Sequence, residues 1–71
     1  MDKSDILVKL GDRIKTIRMQ KSMTQNDLAI ECNFEKASMS RIESGQANLT
    51  IHTLYKISRA LDVHIAEFFN Y

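Results

Sequence analysis

Residues 23–45 read MTQNDLAIECNFEKASMSRIESG, and this stretch contains two short helical patterns separated by a turn. Thr24 followed three residues later by Asp27 resembles a capping box, in which a hydroxyl and an acid satisfy the free amides at a helix start. A helix is therefore predicted over residues 25–32. Asn33 suits the left-handed conformation that ends a helix, because asparagine tolerates positive φ better than any residue except glycine. A sharp turn is expected there.

The second half of the stretch predicts another helix over residues 35–44. Met39 and Ile42 fall on one face of it, and Gly45 stands in the position favoured for a glycine after a helix. Two helices joined by a turn of three or four residues pack at a steep angle, and the second of them projects from the body of the domain. By itself this geometry indicates only a helical domain.

Upstream of this stretch, apolar residues recur at spacings of four and three, as they do on one face of a helix. With Ser4 as the N-cap, they predict a first helix over residues 5–20. Gly11 costs about 1 kcal/mol relative to alanine inside such a helix, so we expect either a close neighbouring backbone or a late helix start. The apolar face comprises Ile6, Leu10, Ile14 and Ile17.

Downstream, Thr50 can cap a fourth helix, and His64 starts a last turn or two. The fourth helix has an apolar face of Ile51, Leu54, Ile57 and Leu61, and the chain ends in an aromatic cluster of Phe68, Phe69 and Tyr71. Proline is absent and glycine occurs only twice, so short connections between helices are expected. The prediction is an all-α, compact bundle of five helices, one domain over residues 1–71 with its core at about residues 10–69.

The composition is that of a folded domain, with 44% hydrophobic and 27% charged residues among 71. The net charge of +1 is too small to indicate a nucleic-acid partner by itself, although positive charge is concentrated in residues 1–21. Cys32 is the only cysteine, and neither a membrane span nor the apolar core of a signal peptide is visible. We therefore expect a cytoplasmic protein with no membrane partner. A chain this short is marginally stable alone, so a second copy would help.

Four short motifs stand at fixed spacings along the chain: the Thr-Gln start of the second helix, Ser-x-Ile-Glu-x-Gly over residues 40–45, Asn-Leu-Thr-Ile over 48–51 and Ala-Leu-x-Val over 60–63. Together they resemble the Cro/repressor, or Xre-like, helix-turn-helix family, and within it the controller proteins of restriction-modification systems. Asn33 and Asp62 replace the family's turn glycines, which leaves these turns slightly strained. The resemblance implies the phage-repressor type of fold, with helices 2 and 3 forming the helix-turn-helix.

The resemblance also implies a function: a homodimer that binds double-stranded DNA at a palindromic operator and regulates transcription as a repressor or an activator. Helix 3 is then expected in the major groove, with Lys36 as the first candidate base reader and Arg41 as the second, because both can donate to guanine. Ala37 can pack on a thymine methyl, Ser40 is a short donor, and Glu35 can either accept from cytosine or cap its helix. The expected base-reading set is Lys36, Ala37, Arg41, Ser40 and Glu35.

A second set of residues is expected at the sugar-phosphate backbone. The start of helix 2 offers free amides and the positive end of the helix dipole, and the loop after helix 3 offers amide side chains. Lys21 can add a charge contact or be an ordinary solvated lysine. The expected set is Thr24, Gln25, Ser38, Gln46, Asn48 and Lys21.

A buried ion pair and a dimer contact are also expected. By resemblance, an arginine of helix 1 faces Glu43, so Arg18 and Glu43 are predicted to form a mostly buried ion pair. Three aromatic residues in the last four exceed what a small core obviously needs, although Phe68 can simply close the core. The expected dimer contact comprises Ile51, Ile65, Phe69 and Tyr71.

Other classes of function find little support in the residues. His52 and His64 have no further metal-ligating residue at metal-binding spacing, and no nucleophile or phosphate-cradling motif is present. We therefore expect that the protein binds no metal or cofactor and is not an enzyme. A different possibility is an antitoxin or adaptor that holds a protein partner and uses DNA binding for autoregulation. RNA polymerase is a further partner that the resemblance leaves open.

Overall fold

The computed structural model describes residues 3–71, all of whose regular elements are helical, as predicted. Four of them are α-helices, and the predicted fifth helix is a short 3-10 helix instead. The first helix begins at Lys3, so Ser4 lies inside it and is not its N-cap. The elements are α1 (Lys3–Gln20), α2 (Gln25–Cys32), α3 (Lys36–Glu43), α4 (Ile51–Leu61) and the 3-10 helix (Ile65–Phe69).

Residues other than glycine adopt the left-handed conformation after three of the described α-helices. Asn33 follows α2 with φ 59°, and Asp62 follows α4 with φ 57°, as expected of residues that stand in place of turn glycines. Ser22, which no pattern singled out, has φ 58° just after α1. Each conformation turns the chain sharply enough to return the next element to the core.

The core gathers buried apolar residues from all five elements, and Phe68 of the 3-10 helix is completely buried in it. Ile6, the first member of the predicted stripe on α1, is exposed and lies outside this core. The buried apolar residues are Leu10, Ile14, Ile17, Leu28, Ala29, Cys32, Met39, Ile42, Leu54, Ile57, Leu61 and Phe68.

Glycines mark two close approaches between α1 and the end of α3. A Cβ on Gly11 would lie 2.7 Å from the Glu43 carbonyl oxygen and would also strike that of Ile42. The close neighbouring backbone therefore explains Gly11, and the late helix start does not, since α1 begins eight residues earlier. Gly45, with φ 79°, packs on the backbone of Val8 just beyond α3.

α1 is tied to the chain end as well. Arg13 Nε donates to the Glu67 backbone carbonyl oxygen at 2.9 Å, and Arg13 Nη2 forms a long ion pair with Glu67 Oε2 at 3.8 Å. None of the described helices is long and apolar enough to cross a membrane.

Candidate nucleic-acid interface

α2 begins with a complete capping box. Thr24 Oγ1 accepts from Asp27 N at 3.0 Å, and Thr24 N donates to Asp27 Oδ2 at 2.9 Å. The pKa of the Asp27 carboxyl is lowered by this backbone hydrogen bond and, to a smaller extent, by the Thr24 hydroxyl. The N–H groups of Gln25 and Asn26 have no carbonyl partner within the helix, so they remain to receive an anion at the positive end of the helix dipole.

The side chain of Gln25 is half-buried and turned toward α3. Its Nε2 donates to Glu43 Oε1 at 3.1 Å, so a residue predicted only for phosphate contact also belongs to an internal hydrogen-bond network. No pattern in the sequence pairs two residues 18 positions apart, and the contact depends on how α2 and α3 cross.

Arg18 and Glu43 form the centre of that network, in the arrangement predicted for them. Arg18 Nε donates to Glu43 Oε2 at 2.7 Å and Arg18 Nη2 donates to Oε1 at 3.0 Å, while the two residues are only 8% and 7% exposed. Arg18 Nη1 also donates to the Met23 carbonyl at 2.7 Å, immediately before the α2 cap. One arginine of α1 thus fixes both the end of α3 and the approach to α2.

α3 buries one side and exposes the other. Met39, Ile42 and Glu43 are buried, and at about 100° per residue the opposite side of the helix is centred on Ala37 and Arg41. Both of these residues are exposed. The predicted base readers therefore do not lie equally far out. Ser40 and Lys36 are about 80° and 120° around the helix from the centre of the Ala37–Arg41 line, both on the side toward Glu43, although both are exposed.

Glu35 occupies the N-cap position of α3 but makes no side-chain capping hydrogen bond. Of the two roles considered for it, capping through the carboxylate is therefore absent. The side chain is exposed beside the start of α3.

A groove of about 350 Å³ joins α3 to the loop that follows it. The groove brings together Ser38, Arg41 and Asn48, which were predicted separately as base-reading and phosphate-binding residues. Thr53 of α4 also lines it and was not predicted, although it follows the Thr50 cap by three residues and accepts a hydrogen bond from the Thr50 hydroxyl at 3.0 Å. Gln46 and Lys21 are exposed and outside the groove lining.

Residues 14–68, well over half of the chain, match the helix-turn-helix family HTH_3. The chain belongs to this family. Control protein C.BamHI of Bacillus amyloliquefaciens is 38% identical to it over 61 residues, which cover 84% of this chain and 75% of that protein. The fold and the α2–α3 arrangement described above are therefore those of a helix-turn-helix domain.

Solved structures of controller proteins share this helix-turn-helix fold. The restriction-modification controller protein C.AhdI from Aeromonas hydrophila has a TM-score of 0.86 and 32% identity, over 89% of this chain and 96% of that one. The controller protein C.Esp1396I, solved as a tetramer in complex with its natural 35 base-pair operator, has a TM-score of 0.82 and 42% identity, over 92% of this chain and 86% of that one.

The residues predicted for a dimer contact lie on α4 and on residues 65–71, the C-terminal segment of this helix-turn-helix domain. Ile51 is 70% exposed, and Phe69 and Tyr71 are exposed too. Ile65 differs from them because it is half-buried and packs against the core. Tyr55, one turn after Ile51, is a further exposed aromatic residue that the pattern did not single out, and it lines a groove of about 530 Å³ together with Ile65.

Proposed function

We propose that this chain is a sequence-specific double-stranded DNA-binding transcription regulator, a restriction-modification controller protein that acts as a homodimer on a palindromic operator. The observation that carries the proposal is the setting of α3. Its inner side is buried, its last residue, Glu43, is hydrogen-bonded to Arg18 of α1 and Gln25 of α2, and its outer side is exposed and carries the cationic Arg41. A helix held in this way is suited to the major groove.

Arg41 is the leading base reader in this proposal, because it lies on the outermost line of α3 and its guanidinium can pair with guanine O6 and N7. Ala37, one turn earlier on the same line, fits against a thymine methyl. Lys36 and Ser40 reach base edges from one side of this line, and Glu35 does so from the helix start.

Phosphate contacts are proposed on both sides of α3. On one side are the amides of the α2 start, with Thr24 and Gln25, and on the other is the loop with Gln46 and Asn48. Ser38, in the same groove as Asn48, is placed to donate to a phosphate, and Lys21 adds a charge contact. These groups hold the register of the protein on the duplex without reading its sequence.

The homodimer is proposed to form through Ile51, Ile65, Phe69 and Tyr71, and to act in the cytoplasm by binding rather than by catalysis. Support for this assembly comes from the exposed apolar side chains on α4 and the C-terminal segment. Two copies related by a twofold axis read two half-sites and add their contacts. A controller that activates transcription would also contact RNA polymerase.

Selection of bound sequences from random duplexes tests this function, since it yields half-site, spacing and symmetry together. On the selected operator, Arg41→Ala and Lys36→Ala should each lose about 1–3 kcal/mol of discrimination at one defined base pair. Gln46→Ala should weaken selected and scrambled duplexes by similar factors, and Lys21→Ala should reduce the dependence of affinity on salt. Uniform weakening by both α3 variants, with unchanged base preference, would contradict a reading role for α3.

Copurification from the native host separates this proposal from the antitoxin or adaptor alternative. A homodimer free of other proteins supports the regulator. A stoichiometric protein partner supports the adaptor, with DNA binding reduced to autoregulation.

A further inference from the structure

The carboxylate of Glu43 has more donors around it than an ion pair needs. Oε2 accepts from Arg18 Nε at 2.7 Å, whereas Oε1 accepts from Arg18 Nη2 at 3.0 Å and from Gln25 Nε2 at 3.1 Å. The side chain of Glu43 is only 3% exposed, and its position is set by a bidentate arginine. The third hydrogen bond, which Glu43 accepts from Gln25, is not needed to place Glu43 and instead constrains the side chain of Gln25.

That third hydrogen bond decides which way the Gln25 amide points. An ionised carboxylate only accepts hydrogen bonds, so the NH₂ end of the amide must face it and the amide oxygen must not. A flipped amide would place its oxygen against a buried negative charge. Glu43 therefore holds Gln25 in one of its two amide orientations.

The amide nitrogen carries two protons, and one of these N–H groups donates to Glu43 Oε1. Gln25 is the first residue of α2, next to the backbone N–H groups of Gln25 and Asn26 that have no partner within the helix. Among the described residues only Glu43 accepts from Gln25 Nε2, and Gln25 is half-exposed, so its second Nε2 proton can meet an anion at the start of α2. Together with those backbone amides, it can bind one phosphate oxygen with no side chain left to be ordered on binding.

We propose that Glu43 is a positioning residue for DNA: by orienting the Gln25 amide, it presents the second Nε2 proton to the phosphate bound at the start of α2. This inference rests on the proposed function, because it requires α2 to meet the sugar-phosphate backbone. Arg18 holds Glu43 in place and, through the Met23 carbonyl, holds the chain that leads into the Thr24 cap. Glu43 itself does not touch DNA.

The test is a double-mutant cycle on duplex affinity with Glu43→Gln, Gln25→Ala and the combined variant, each shown to be folded by circular dichroism at the temperature used. Glu43→Gln removes a negative charge near DNA, so electrostatics alone make binding tighter. Positioning makes it weaker, by about 3- to 10-fold per half-site, which is the usual effect of leaving one long side chain to be ordered on binding. In the Gln25→Ala background, Glu43→Gln should cause no further loss.

Glu31→Gln is the matched control, because it removes the same charge from an exposed position on α2. It should bind DNA at least as tightly as the parent, and its effect should be the same with or without Gln25. An equal loss from Glu43→Gln in both backgrounds would show that Glu43 acts only through the fold, and unchanged or tighter binding by Glu43→Gln would overturn the inference as well.

Should Glu43→Gln not fold, the parent protein itself provides the second measurement. Both side-chain NH₂ signals of Gln25 are followed by NMR during titration with operator duplex. We expect one proton to be protected before DNA is added and the other to shift on binding. If neither is protected, or if DNA leaves both unchanged, the inference fails. If the parent binds no duplex from the random pool, the proposed function itself is wrong. That outcome is distinct from one in which the parent binds DNA but the Gln25 amide signals do not behave as expected.

Discussion

Gly11 sets how closely α1 approaches the end of α3. The atoms that a Cβ would meet are the carbonyl oxygens of Ile42 and Glu43. These belong to the backbone of α3 and cannot rotate away as a side chain would. Moving them would also disturb the position of the Glu43 carboxylate, so a glycine here protects the network that leads to the start of α2.

We predict that Gly11→Ala destabilises the protein by about 1–3 kcal/mol, the usual cost of overpacking a closely packed contact. The sign is informative, because alanine is favoured over glycine inside a helix by about 1 kcal/mol when the site is open. Chemical denaturation of parent and variant measures the difference. Asp12→Ala, at the exposed neighbouring position, should be neutral or slightly stabilising. A Gly11→Ala variant as stable as the parent would mean that α1 and α3 can separate without loss.

The Arg18–Glu43 pair is a polar link between the helices α1 and α3. It is buried, bidentate and fully hydrogen-bonded, and among the described residues no buried side-chain nitrogen or oxygen lacks a partner. Removing one member leaves the other charge buried and uncompensated. A domain of this size has a total stability of only about 5 kcal/mol or somewhat more, so this link is a large part of what keeps α3 in place.

We predict that Glu43→Ala lowers the free energy of unfolding by about 3–5 kcal/mol. Thermal unfolding followed by circular dichroism should show a large fall in Tm or an unfolded chain at 25 °C. Glu67→Ala is the comparison, because Glu67 also pairs with an arginine of α1, but at 3.8 Å and with about half of its side chain exposed. It should cost less than about 1 kcal/mol. A Glu43→Ala variant that melts within a degree or two of the parent would show that the pair contributes little to the stability of the fold.

The elements also show how far local signals reach. The Thr24 and Thr50 caps, the left-handed Asn33 and the glycine after α3 depend on neighbours within a few residues, and all are present as predicted. The start of α1 was predicted too late. Ser4 could cap a helix that begins at Asp5, but the helix already includes Lys3, so Ser4 lies within it. The last segment, too short for several α-helical turns, forms the tighter 3-10 helix.

Some contacts between residues far apart in the sequence were predicted and others were not. The Arg18–Glu43 pair was predicted by family resemblance rather than by spacing, since nothing local joins the two positions. The Gln25–Glu43 hydrogen bond and the groove that unites Arg41 with Asn48 were not predicted at all. Both arise from the angle at which helices cross and from the course of a loop, which hydrophobic periodicity does not determine.

The longest dimension of the domain is 31 Å. Half-sites read by a twofold pair of such domains lie about 34–36 Å apart on one face of the duplex, so a single domain covers only one of them. The exposed Ile51, Phe69 and Tyr71 give the proposed dimer its apolar contact. Ile65 supports the core as well, so the contact is better tested at the fully exposed positions.

We predict that the double variant Ile51→Asp, Phe69→Asp is a folded monomer. Both side chains are exposed in the single chain, so the core should be unaffected, whereas two carboxylates per copy would be brought together in a symmetric interface. Sedimentation equilibrium should give the mass of one chain where the parent gives two. Affinity for the full operator should fall to that for an isolated half-site, while the half-site affinity stays at the parent value. Ile30→Asp, which alters a 67% exposed isoleucine on α2, should remain dimeric. If the double variant still sediments as a dimer, or if Ile30→Asp becomes the monomer, the interface lies away from α4 and the C-terminal segment.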